Sequence, residues 1–154
     1  MIIKVSGPKM VHDGIFIGNG YDADQHKFAG STLHCAKDPW YVQTYVPAIL
    51  PNVKRLSYNE MALNMVDAET PNYFPDQMIN AGLDFITERL AEEPILVHCN
   101  MGVSRSPSMV FLWMFEHGFL DDKFRYAMPQ FKELYPSYCP GNGIWQYLKK
   151  RCDS

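Results

Sequence analysis

Apolar side chains recur along this chain at two periods, and the change of period marks out its elements. Phe74, Met78, Ala81, Gly82, Phe85, Ile86 and Leu90 repeat at steps of three and four, the pattern of an amphipathic helix. Pro75 falls near its first turn, where a missing N–H costs nothing. Short unbroken apolar runs read instead as strands: Gly14 to Gly20, ended by glycines, and Pro94 to His98, entered from Glu92-Glu93. Ser31 to Ala36 predicts another strand, closed by Asp38-Pro39. Met61 to Val66 is a further apolar strand, ahead of the acidic, proline-punctuated loop Asp67 to Pro71. The segment from Trp40 to Asn52 carries Pro47 and Pro51, has no period, and reads as an irregular insert. Ser106 to His117 predicts an apolar helix with Gly118 as the residue just past its end. Phe124, Ala127, Met128, Phe131 and Leu134 predict another, which Pro129 is expected to kink or divide. Ile144 to Arg151 is a last short helix whose basic end suits the helix dipole. Helices between and after strands give an α/β fold class, a central, mostly parallel sheet flanked by helices.

Composition narrows what such a chain does. Its 154 residues suit one domain spanning 1–154, at about 150 residues per domain. With 47% hydrophobic and 20% charged residues it has enough apolar surface to fold without metals or cross-links. A net charge of −3 argues against a general nucleic-acid or anionic-membrane binder. No apolar run nears the roughly 18 residues of a membrane span, and the first eight residues are too weakly apolar for a leader. Cys35, Cys99, Cys139 and Cys152 form neither C-x-x-C pairs nor a disulfide framework. A reducing, cytoplasmic setting is expected, in which a cysteine is a buried apolar group or a nucleophile.

One cysteine stands in a reactive setting. Ile95-Leu96-Val97-His98-Cys99-Asn100-Met101-Gly102-Val103-Ser104-Arg105-Ser106-Pro107-Ser108 is a strand, a cysteine, five residues with a glycine, an arginine, and a helix. A loop that turns directly into a helix aims backbone N–H groups at one point, and the helix start adds partial positive charge. Arg105 adds a planar fork of donors that matches two phosphate oxygens. The field that holds a tetrahedral dianion there also favours the thiolate, the nucleophilic form of Cys99. The bland alternative makes Cys99 a structural thiol, Arg105 a surface ion-pair residue and Gly102 an ordinary turn glycine.

His98-Cys99-Asn100-Met101-Gly102-Val103-Ser104-Arg105-Ser106 resembles the signature His-Cys-x-x-Gly-x-Ser-Arg-Ser of the dual-specificity phosphatases, within the cysteine-dependent protein tyrosine phosphatases. Gly14 to Ala23 is similar to that family's opening strand, Phe74 to Ile86 to the helix before its catalytic strand, and Cys139-Pro140-Gly141-Asn142-Gly143 to the stretch before its last helix. The 37–60 region is the clearest departure. The resemblance implies a protein tyrosine phosphatase-like fold and two successive phosphoryl transfers. Cys99 would be the nucleophile. Asn100, Met101, Gly102, Val103, Ser104 and Arg105 would bind the phosphate. His98 would order the loop, and Ser106 would hydrogen-bond the thiolate. Ser106 also suits a helix N-cap. The family's general acid is an Asp on an earlier loop. Asp67 stands 32 positions before Cys99, while Asp76 competes from a first helical turn and Glu69 fits less well. No metal or other cofactor is implied.

The expected substrate is a phosphoprotein or phosphopeptide, carrying phosphotyrosine and in some cases phosphoserine or phosphothreonine, acted on by a monomer. No lysine lies between Cys99 and Arg105, which disfavours phosphoinositides. Trp40, Tyr73 and Tyr138 either rim a phosphotyrosine cleft or simply pack. Two readings stay open beside this one: an RNA 5′-phosphatase on the same scaffold, and a module that binds phosphate esters without turnover.

Overall fold

The computed structural model describes residues 7–24 and 28–153; the first six residues, read above for a leader, lie outside these. Among the described residues, six strands form one sheet: β1 (Lys9–His12), β2 (Ile15–Gly18), β3 (Ser31–His34), β4 (Val53–Ser57), β5 (Glu60–Leu63) and β6 (Ile95–His98). Their order across the sheet is β1-β2-β6-β3-β5-β4. The four inner strands run parallel, and β1 and β4 close the two edges antiparallel through hairpins. The mostly parallel α/β sheet expected from the sequence is thus present.

Strand side chains alternate between faces, so each face has its own composition. Ile15, Ile17, Leu33, Met61, Leu63, Ile95 and Val97 belong to the main apolar core. Helices α2 (Asp76–Leu90) and α3 (Arg105–Glu116) pack on that sheet, with α4 (Phe124–Leu134) and α5 (Asn142–Cys152) against α3. Phe85, Phe111 and Phe131 are fully buried there, each worth about 1.5–3 kcal/mol on area alone. The alternate residues of the inner strands include His34, Leu96 and His98. A short helix, α1 (Gly20–Asp24), and a helical turn at Lys37–Tyr41 lie against these strands.

Several sequence expectations need correction. The strand read as Met61–Val66 is Glu60–Leu63, because the chain leaves the sheet before Met65. Edge strands β1 and β4 were not expected; exposed and half-buried residues give them no clean alternation. The irregular insert holds up over 42–52, yet β4 and part of the β4–β5 hairpin occupy the later part of the 37–60 departure. Pro129 does not divide α4, which runs unbroken from Phe124 to Leu134. Pro129 and Arg125, whose carbonyl the proline leaves without its helical partner, are both exposed. Gly118 does follow α3 with φ of 76°. Among the described residues, no helix is long and apolar enough to cross a membrane.

Candidate active site

Parallel strands deliver their carboxyl ends to one edge of the sheet, and the chemistry-bearing loop starts there. Cys99 directly follows β6 and is buried. The next five residues form the loop, and α3 begins at Arg105. Gly102 is required twice over: its φ is +73°, and an added Cβ would lie 2.8 Å from the Gly18 carbonyl oxygen.

Donors from elsewhere in the fold occupy the carbonyls of this loop. Gly20 N–H donates to Asn100 O at 3.0 Å and Cys139 N–H to Val103 O at 2.7 Å. Tyr135 Oη donates to Gly102 O at 2.6 Å. Ser104 holds the N-cap place of α3 without capping it; its Oγ accepts from Gly141 N–H at 2.9 Å. Ser106 therefore lies inside the first turn and is not the N-cap. Its Oγ instead donates to Cys99 Sγ at 3.2 Å, in full burial.

Arg105 is held before any anion arrives. Nη1 donates to Met65 O at 3.0 Å and Nη2 to Asn100 Oδ1 at 2.8 Å. Asn100 is itself tied through Nδ2 to Asp38 O at 3.2 Å. The guanidinium so bridges the cysteine loop and the segment leading to Asp67.

Asp67 is exposed, and an added Cβ on Gly141 would lie 2.8 Å from its Oδ1. The same segment braces the rest of the acidic loop: Gly143 N–H donates to Ala68 O at 3.1 Å and Asn142 Nδ2 to Glu69 O at 3.2 Å. A Cβ at Gly143 would strike Ala68 O and sit 2.6 Å from Thr70 O. Asp76 is committed elsewhere, accepting from Tyr147 Oη of α5 at 2.7 Å. Tyr138 is buried on Ser108, at 2.7 Å, and is no cleft rim. Trp40 packs against two histidines, His34 and His98, while Tyr73 is exposed.

His98 is fully buried, with Nδ1 3.2 Å from Cys99 O. Burial above all, then His34 and Arg105, pushes its pKa down to about 3. In the unfolded chain the ring would take a proton near 6.5. Between these values the unfolded state binds more protons, so stability is expected to fall as pH drops below about 6.5. Urea unfolding at pH 7 and pH 5 should show a loss on the order of 1–2 kcal/mol from this ring. His98→Asn should flatten that dependence; an unchanged slope would place the proton uptake elsewhere.

Sequence reasoning passed over His34 and Glu60. Leu33-His34-Cys35 and Val97-His98-Cys99 repeat the same pattern at the ends of two strands that pair in parallel, His34 opposite His98. That repetition was the available signal. Cys35 is buried beside the loop; burial and the nearby Cys99 push its thiol up, with Arg105 opposing. Among the described residues, no cluster of three or more His, Cys, Asp or Glu side chains is placed to hold a metal.

No protein-family model matches the chain. Among curated proteins, it is 33% identical over 92 residues to dual specificity protein phosphatase 19 of Mus musculus, a match covering 56% of this chain and 37% of that protein. The chain thus spans little more than a third of that relative's length. Among solved structures, DUSP15 superposes with a TM-score of 0.66 at 22% identity, covering 95% of this chain and 87% of that one. The human tyrosine phosphatase-like serine/threonine/tyrosine-interacting protein gives 0.68 at 19% identity, covering 94% and 95%. The chain shares the fold of these phosphatase structures, and over 92 residues its sequence is similar to that of a dual specificity protein phosphatase.

Proposed function

We propose that this protein is a cysteine-dependent phosphatase acting on phosphate monoesters of proteins, phosphotyrosine foremost, through a cysteinyl-phosphate. The observation that carries the reading is the buried Cys99 Sγ, hydrogen-bonded by Ser106 Oγ at the foot of a loop that turns straight into α3. The Cys99 thiolate attacks phosphorus in line, forming the S–P bond as the bond to the leaving oxygen breaks. Loop N–H groups from Asn100 to Arg105, together with the Arg105 fork, hold the equatorial oxygens as charge redistributes. Asp67 gives its proton to the leaving oxygen, then as a carboxylate takes one from the water that hydrolyses the intermediate. Ser106 stabilises Cys99 as the thiolate departs in that second step. The chemistry as written uses only groups of this chain and water.

A panel of phosphotyrosine, phosphoserine and phosphothreonine peptides, phosphoinositides and 5′-triphosphate RNA tests the substrate class. Fastest release from phosphotyrosine peptides supports the reading; preference for the RNA end overturns it in favour of the RNA phosphatase. Binding without release would favour the binding module. Asp67→Asn tests the acid. Protonation matters most for a poor leaving group, so phosphopeptide turnover should fall by about 10²-fold or more while an activated aryl ester loses far less. Equal losses on both substrates would remove Asp67 from the role.

A further inference from the structure

A line of hydrogen bonds continues from His98 away from the cysteine loop. His98 Nε2 meets His34 Nδ1 across the paired strand ends, and His34 Nε2 meets Glu60 Oε2, both at 2.5 Å. At the other end, His98 Nδ1 faces the Cys99 carbonyl oxygen. A carbonyl only accepts, so His98 Nδ1 carries a hydrogen. A neutral imidazole then has a bare Nε2, and the donor to it is His34 Nδ1–H. One proton remains, between His34 Nε2 and the Glu60 carboxyl. Whichever atom holds it, the two bonds nearer Cys99 keep the same direction.

We propose that His34 and Glu60 are positioning residues for Cys99, fixing His98 as its Nδ1–H tautomer so that the Cys99 peptide is held from its carbonyl side. The link to turnover rests on the phosphatase reading above; the assignment of protons does not. In the opposite tautomer, a lone pair on His98 Nδ1 would face the lone pairs of Cys99 O, and the repulsion would turn the first peptide of the loop. The depressed basicity of His98 agrees with a neutral ring. Trp40 holds both rings in place, stacked on His34 with centroids 5.7 Å apart and edge-on to His98 at 4.5 Å. The line has a dry end and a wet end. His98 is fully buried, while Glu60 lines a cavity of about 240 Å³ with Thr32, His34, Trp40 and Asn59. Among the described residues, the ionisable groups near its buried end include Cys99 on the β6 side, Cys35 after β3 and Arg105 at the start of α3. Arg89 of α2 reaches β3 only at its far end, through Ser31.

Two substitutions and one spectrum test this. His34→Leu removes the donor to His98, whereas His34→Asn keeps an amide N–H at the position of Nδ1 that can replace it. Iodoacetamide modification at pH 6 is followed by mass spectrometry on the Cys99 peptide, because the exposed Cys139 reacts as well. In His34→Leu, modification of Cys99 and kcat on an aryl phosphate should each fall about tenfold with little change in KM. His34→Asn should recover most of both. A His34→Leu protein with the wild-type melting temperature and the wild-type modification rate overturns the proposal. Imidazole 1H–15N spectra of the wild-type protein should show His98 protonated on Nδ1, and a proton on Nε2 overturns it even if neither variant folds. Should the wild-type protein release no phosphate from any ester, the phosphatase reading fails, while the spectrum and the modification rates still decide this one.

Discussion

Cys99→Ser protein is expected to bind a phosphotyrosine peptide and release no phosphate from it, with turnover at least about 10³-fold below wild type. A serine hydroxyl needs a base to become a nucleophile, and among the described residues the hydrogen bond to the Cys99 sulfur comes from a hydroxyl, not a base. His98 is the nearest imidazole, but Nδ1 faces the Cys99 carbonyl and Nε2 faces His34. Ser106 offers that position a hydroxyl that already donates. Binding should persist, because on this reading the anion is held by loop N–H groups and Arg105, not by sulfur. Calorimetric titration with the phosphopeptide, beside phosphate release from p-nitrophenyl phosphate, reads both halves. Hydrolysis near the wild-type rate would end the nucleophile assignment.

Arg105→Lys should be nearly as damaging, lowering kcat/KM by about 10²–10³-fold. The guanidinium has three tasks at once in this arrangement. Nη1 holds the Met65 carbonyl, Nη2 holds Asn100 Oδ1, and on the proposed reading the remaining hydrogens of the fork bind two phosphoryl oxygens. An ammonium has a single nitrogen and cannot span partners that lie on different segments. Losing the brace to Met65 also loosens the segment between β5 and Asp67. Steady-state kinetics with inorganic phosphate as a competing ligand measures both consequences, since weaker phosphate inhibition should accompany the lower rate. A variant keeping most of kcat/KM would show that Arg105 makes no contact with the transferring group.

The parts of this architecture that were legible in the sequence are those governed by near-neighbour patterning. α2 announces itself because six apolar positions within it keep one phase, and β6 because it is buried on both faces and so reads as an unbroken apolar run. Edge strands β1 and β4 answer to a partner on one side only, and Lys9, Met10 and Ser57 stand exposed, so no period survives to be read. The same limit applies to the site. The span from Cys99 to Arg105 is local and was visible at once. The bonds that brace it come from Gly20, Tyr135, Cys139 and Gly141, distant in sequence, and only folding brings them together. Pro129 shows the converse: the expected division of the helix does not occur, and the proline and Arg125, four residues before it, are both exposed.

The braces on the cysteine loop also set its polarity. In a trans peptide the carbonyl and the following N–H point in opposite directions. Gly20, Tyr135 and Cys139 hold the carbonyls of Asn100, Gly102 and Val103. The amide hydrogens of Met101, Val103 and Ser104 are thereby turned to the opposite side. Three peptide dipoles are thus anchored by their negative ends to the body of the fold, leaving their positive ends for whatever enters the loop. The electrostatic welcome for an anion is built from outside the loop, by residues that an anion would never touch.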